Sequence, residues 1–225
     1  MTMPGVGPMS MVWMRMPGQT WAGAAVSFIG MWVPMMAAMM LPSLAPALWR
    51  YRRAVGSIGE TRLNRLTALV GVGYFGVWIV LGMAIFPLGV TLAAVAMQRP
   101  LLARTGPITV GLVFVIAGVI QFSTWKANHL AYCRDAMRHG RTWSAGARTA
   151  LRHGLRLGLH CSCSCAGLTT ILLVVGIMDL RAMTVVTAAI TVERLAPAGE
   201  RVARGIGAVV VGTGLLLIAR AVYPE

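Results

Sequence analysis

The sequence has few charged residues. Only 12% of its 225 residues are Asp, Glu, Lys or Arg, and six are acidic, whereas soluble domains contain about 25% charged residues. Hydrophobic residues make up 57% of the chain, the mean hydropathy is +0.74, and apolar runs of membrane-spanning length recur from end to end. This composition leaves no room for a soluble domain. It predicts one all-α integral membrane domain over residues 1–225, in contact with the lipid bilayer.

Several functional signatures are also missing. We find no nucleophile–base arrangement, no phosphate-binding loop and no paired carboxylates, so the sequence predicts no enzyme. The four cysteines are too few for a disulfide framework in a chain of this length. No internal repeat indicates a transporter built from inverted halves.

The basic residues are unevenly distributed between the apolar runs. The net charge is +14, which in a soluble protein would suggest nucleic-acid binding. Because no folded basic domain exists here, membrane orientation explains the charge better and nucleic acid is not expected as a partner. With both termini outside, 15 of the 20 basic residues fall in the inside loops. The distribution predicts a multi-pass protein of the bacterial inner membrane.

Six spans fit this topology and make a polytopic transmembrane helical bundle. They are expected at residues 21–49, 66–97, 107–125, 155–178, 182–196 and 206–222. Residues 1–20 form an irregular tail rich in Met, Gly and Pro, and the basic stretches 50–65 and 126–154 are expected to be cytoplasmic loops. The fifth span covers only about 20 Å and is either tilted, thinned or re-entrant.

A cysteine cluster begins the fourth span. Cys161, Cys163 and Cys165 lie within five residues, directly after His160. Sulfur and imidazole are ligands for soft metals, above all Cu(I), with Zn²⁺ as an alternative. On a helix Cys161 and Cys165 share a face while Cys163 points nearly the opposite way. Either the first and last cysteines form a pair, or the segment unwinds and all three converge.

Other ligands could complete such a site. His129 and Cys133 are four apart, share a helix face, and could join His160 and the cysteines. Glu193, near the end of the fifth span, should face the bundle interior with a partner. It either pairs with Lys126, Arg194 or another basic residue, or serves as a metal or proton ligand.

The first span contains a methionine segment. Met31, Met35 and Met39 form one stripe, and Met36 and Met40 form an adjacent one. Thioether stripes can bind or relay Cu(I). Methionine is also a flexible residue that packs well in membrane helices, and both interpretations remain open for Met35, Met36, Met39 and Met40.

These segments resemble a bacterial family described as predicted metal-binding integral membrane proteins. The similarity is carried by four segments: Met31-Trp32 through Ser43 with Pro46, Gln121 with Lys126 through Leu130 and Cys133-Arg134, the Cys161–Cys165 cluster followed by Gly176, Met178 and Met183, and Glu193-Arg194-Leu195-Ala196-Pro197. It covers most of the chain and implies a membrane protein that binds a metal.

The chain departs from the family pattern within the cluster. The pattern reads cysteine, two residues, then adjacent cysteines and a tryptophan. Ser164 stands where a cysteine is expected, Cys163 where a glycine is expected, and Ala166 where the tryptophan is expected. Arg194 replaces the usual lysine. The number of sulfur atoms is the same, but their placement differs.

The sequence therefore predicts an integral membrane protein that binds a soft metal, copper before zinc, for transport, delivery or assembly. Partner membrane proteins or a homo-oligomer are the expected partners, besides the lipid bilayer. Two alternatives stay open: a structural or accessory subunit of a membrane complex whose sulfur residues only pack, and a thiol redox membrane protein that uses Cys161 and Cys165.

Overall fold

The protein is all-helical in the computed structural model, which describes residues 18–56, 59–98, 106–138, 146–176 and 179–223. Seven helices and no strand occur in these ranges, which confirms the all-α prediction. Residues 1–17 of the predicted irregular tail lie outside them. The helices are α1 (Trp21–Val55), α2 (Glu60–Gln98), α3 (Gly106–Ile120), α4 (Thr124–Arg138), α5 (Ala147–Val175), α6 (Leu180–Leu195) and α7 (Gly199–Val222).

Four of these helices, α1, α2, α5 and α7, are long and apolar enough to cross a membrane. The count becomes five if α3 and α4, which meet at a bend of 63°, are taken as one broken span. Helix α6 has 16 residues and extends about 24 Å, less than the roughly 30 Å of a hydrocarbon core. The prediction of six full spans is thus not confirmed, and the orientation of the termini stays a prediction.

The basic loops are mostly helical, which corrects their prediction. Helix α1 continues to Val55 and α2 begins at Glu60, so little of the predicted loop 50–65 lies outside helices. In the predicted loop 126–154, α4 extends to Arg138 and α5 begins at Ala147. Arginine is a good helix former, and a helix can continue past the apolar run that predicts a span.

The predicted third span, 107–125, is broken. Helix α3 ends at Ile120, where the backbone N–H groups of residues 121–123 bond to carbonyls three residues earlier and tighten the last turn. The Ser123 hydroxyl then accepts a hydrogen bond from the Lys126 backbone N–H at 3.2 Å, which caps the start of α4. The break redirects α4 so that it packs against α5 and α6.

Helix α5 lies at the centre of the bundle and packs against α2, α3, α4 and α6. Its approach to α2 depends on glycine. A Cβ placed on Gly158 would lie 2.8 Å from the Tyr74 carbonyl oxygen and 3.0 Å from a Val77 methyl carbon. The missing side chain lets the two backbones approach closely, and this approach sets the position of Tyr74 beside the cysteine face of α5.

We expect Gly158→Ala to destabilise the protein by about 1–3 kcal/mol, because the added methyl group must push α2 away from α5. Gly76→Ala on α2 is the matched control, since a Cβ there meets nothing within 4 Å. It should be neutral or slightly stabilising, because alanine favours a helix over glycine. Thermal unfolding of the detergent-solubilised variants measures the difference. Equal stability of the two variants would contradict the close α2–α5 approach.

Candidate functional site: a buried sulfur cluster

Helix α5 presents two of its three clustered cysteines to the protein interior. Cys161 and Cys165 are 0% and 1% exposed, whereas Cys163 is only half-buried. The helix is regular from Ala147 to Val175, so the first and last cysteines share one face, as expected from their spacing of four residues. Cys163 is not brought to the same side, because a residue two positions away on a helix points about 200° around the axis.

Three side chains from other helices surround the Cys161 sulfur. The Tyr74 hydroxyl on α2 lies 2.7 Å from Cys161 Sγ. The Met40 thioether sulfur on α1 lies 3.9 Å from the same atom, and Arg194 Nη2 on α6 lies 2.7 Å from it. Four helices therefore meet at this one thiol, which makes it the centre of the site.

Cys165 and Cys133 extend the site. The Cys165 thiol donates to the Cys161 carbonyl oxygen at 3.0 Å, one helical turn away on the same face of α5. Cys133 on α4 is completely buried and packs in the same apolar core as Cys161. Met40, Cys133, Cys161 and Cys165 belong to one hydrophobic core, and we call these four residues the sulfur cluster.

The methionine segment of α1 is buried along its core-facing side. Met35, Met36, Met39 and Met40 are between 0% and 8% exposed. Of these, Met40 contacts a cysteine sulfur, while the other three pack in the same apolar core. Met40 is therefore the methionine of this segment for which a sulfur contact is recorded.

Arg194 is the main site residue that sequence reasoning missed. The sequence predicts Arg194 as a possible partner of Glu193 and as part of a family segment, but not as a neighbour of the cysteines. In the structure it is 5% exposed. Its Nη1 donates to Ser43 Oγ at 3.0 Å and its Nη2 donates to Ser164 Oγ at 3.3 Å. An arginine in an apolar helical segment is the signal that could have identified it, because such charges face the interior of a bundle.

The predicted pairing of Glu193 is confirmed with Lys126. Lys126 Nζ lies 3.0 Å and 2.8 Å from the two carboxylate oxygens, and each side chain is 3% exposed. This ion pair joins α4 to α6. Both Glu193 oxygens accept from Lys126, so the structure gives this carboxylate a structural partner and does not place it among the sulfurs.

The histidines form a separate pair, which corrects the expectation of a single joined site. His129 Nδ1 lies 2.8 Å from His160 Nδ1, both side chains are half-buried, and the Tyr132 ring stacks on His160 at 3.8 Å between centroids. In the part of the chain that the structure describes, no three His, Cys, Asp or Glu side chains converge as metal ligands would. His160 precedes Cys161 directly, and consecutive helical residues point about 100° apart.

The fold and the site define a class: an all-helical protein, with helices apolar enough to span a membrane, that buries thiols and a thioether together. The chain belongs to the PpoB2 family, described as a copper chaperone, whose family model matches residues 29–217. Curated proteins and solved structures gave no match. Family membership supports a copper-related function and suggests a non-catalytic role, and the matched range includes every residue of the sulfur cluster.

Proposed function

We propose that this chain is an integral protein of the bacterial inner membrane that binds Cu(I) at the sulfur cluster and delivers it to a partner protein. The observation that carries the proposal is the contact of the Cys161 thiol with the Met40 thioether at 3.9 Å, with Cys165 on the same face of α5. Thiolate and thioether together are a donor set that suits Cu(I).

The sulfur separation is compatible with a shared ion. Bonds from thiolate to zinc are about 2.3 Å long, and with bonds of similar length two sulfurs on one ion can lie up to about 4.6 Å apart. The 3.9 Å between Cys161 Sγ and Met40 Sδ falls within this limit. We assign Cys161, Cys165 and Met40 as the ligands. Zinc fits less well, because its usual four ligands are thiolate, imidazole and carboxylate rather than thioether.

Two further groups of predicted ligands have other roles in this proposal. Cys133 packs in the same apolar core as Cys161, and we assign it to line the site without binding the metal. The His129–His160 pair lies closer to the surface than the fully buried thiols. We assign it to a second, weaker position, which copper occupies during uptake or release.

Copper K-edge X-ray absorption of the full chain in detergent tests the proposal. One equivalent of Cu(I) under reducing conditions should give a first shell of sulfur only, both in the wild type and in Cys163→Ser. A second equivalent should add nitrogen from the histidine pair, and His129→Asn should remove that contribution.

The alternative functions predict different results from the same preparation. Absence of bound copper together with a co-purifying membrane protein would overturn the proposal in favour of an accessory subunit. A Cys161–Cys165 disulfide that forms and breaks with added oxidant and reductant, without copper binding, would overturn it in favour of a thiol redox protein. A first shell of nitrogen alone at one equivalent would move the binding site to the histidines.

A further inference from the structure

Arg194 places a permanent positive charge against the proposed copper ligands. Its guanidinium is never deprotonated in proteins, and it contacts Cys161 Sγ, Ser43 Oγ and Ser164 Oγ. The neighbouring carboxylate, Glu193, forms a salt bridge with Lys126. Arg194 donates its hydrogen bonds to the hydroxyls of Ser43 and Ser164 and to the carbonyl oxygen and sulfur of Cys161.

The positive charge of Arg194 adds to that of any metal ion bound at the sulfur cluster, and together they must be balanced by the thiolates. Cysteine ligands bind metals as thiolates, so Cys161 and Cys165 contribute one negative charge each. With Cu(I) bound, the single positive charges of the metal and of Arg194 balance the two thiolates. A divalent ion such as Zn²⁺ would leave one uncompensated positive charge at a site where Cys161, Cys165 and Arg194 are all at most 5% exposed. Such an unpaired charge is strongly disfavoured in a protein interior.

We infer that Arg194 makes the sulfur cluster selective for a monovalent soft cation over divalent ones. The inference rests on the proposed function, since it assumes that Cys161 and Cys165 are the copper ligands. Selectivity would also explain why a guanidinium is buried here. An arginine inside an apolar bundle costs free energy, and a neutral residue would fill the same space.

Competition for metal tests the inference on the full chain in detergent. We would measure the apparent affinities for Cu(I) and Zn(II) against chelators of known affinity, with metal content by elemental analysis. Wild type and Arg194→Lys, which both carry the charge, should prefer Cu(I). Arg194→Met, which keeps the volume and loses the charge, should shift the ratio of the two affinities toward Zn(II) by about tenfold or more.

A second pair of variants leaves Arg194 in place. Ser43 Oγ accepts from Arg194 Nη1 at 3.0 Å, so Ser43→Asp neutralises the guanidinium locally, and Ser43→Asn is the uncharged control of similar size. Ser43→Asp should shift the ratio toward Zn(II) and Ser43→Asn should not. These variants serve if Arg194→Met fails to fold.

The two possible failures are distinguishable. A wild-type protein that binds no Cu(I) would overturn the proposed function and this inference with it. A wild-type protein that binds Cu(I), with Arg194→Met and Ser43→Asp keeping the same ratio of affinities within twofold, would overturn the inference alone.

Discussion

Cys161→Ser should lower the affinity of the protein for Cu(I) by more than about 100-fold. Loss of a group that merely supports a metal ligand costs 10–100-fold in affinity, and Cys161 is assigned as a ligand itself. Its thiol is the one atom that contacts Met40, Tyr74 and Arg194 together. A serine hydroxyl is a hard oxygen donor and a poor replacement for a soft thiolate. Titration of Cu(I) against a competing chelator measures the loss.

Cys163→Ser is the matched control for this experiment. It makes the same chemical change two residues away on the same helix, at a half-buried position on the other side of α5. We expect its Cu(I) affinity to equal that of the wild type. Equal losses in the two variants would mean that the cysteine cluster binds copper in an unwound segment, and an unchanged affinity in Cys161→Ser would remove this thiol from the site.

Glu193→Gln should destabilise the protein by about 3–5 kcal/mol, because it leaves the Lys126 ammonium buried without its counter-ion. In the unsubstituted protein both Glu193 carboxylate oxygens accept from Lys126 Nζ, and each of the two side chains is 3% exposed. The loss should also loosen α4 from α6. Thermal unfolding in detergent measures the first effect, and protease susceptibility of α4 reports the second.

Two controls separate the ion pair from the loss of a charge in general. Glu200→Gln removes an exposed carboxylate at the start of α7 and should change the free energy of unfolding by less than about 0.5 kcal/mol. The double variant Lys126→Met with Glu193→Met should regain most of the stability, because an apolar pair of similar volume has no charge to compensate. A Glu193→Gln protein as stable as Glu200→Gln would show that the ion pair does not hold α4 to α6.

Several parts of the site could be predicted because they depend on local geometry. The four-residue spacing of Cys161 and Cys165 gave a shared face, and the helix confirms it. Glu193 was expected to have a basic partner, and Lys126 provides it. The burial of Met40 and its neighbours also agrees with their stripes. Each of these follows from the repeat of a helix, or from the cost of an unpaired charge in an apolar environment.

Other parts could not be predicted because nothing local encodes them. The break after Ile120 depends on a tightened turn and on capping by Ser123, and the few polar residues there, Gln121, Ser123 and Thr124, also occur within continuous helices. The pairing of His160 with His129 depends on the packing of α4 against α5, which brings together residues 31 positions apart. The position of Arg194 in an apolar segment indicates a residue facing the interior, but only the packing of α6 shows that it lies beside a thiol.

The sequence by itself determined that the protein is all-helical, with apolar segments of membrane-spanning length and sulfur residues placed on helix faces. Composition and periodicity are sufficient for these predictions, because a helix is held by hydrogen bonds between residues close in sequence, and its regular repeat places residues three or four apart on one face. Only the tertiary structure decided that Met40 meets Cys161, which lies 121 residues further along the chain, and that Tyr74 and Arg194 complete its surroundings. Those contacts depend on how closely two helices approach, as Gly158 allows between α2 and α5. The distance between two helices is set by the side chains on both facing surfaces, so the sequence of one helix does not predict it.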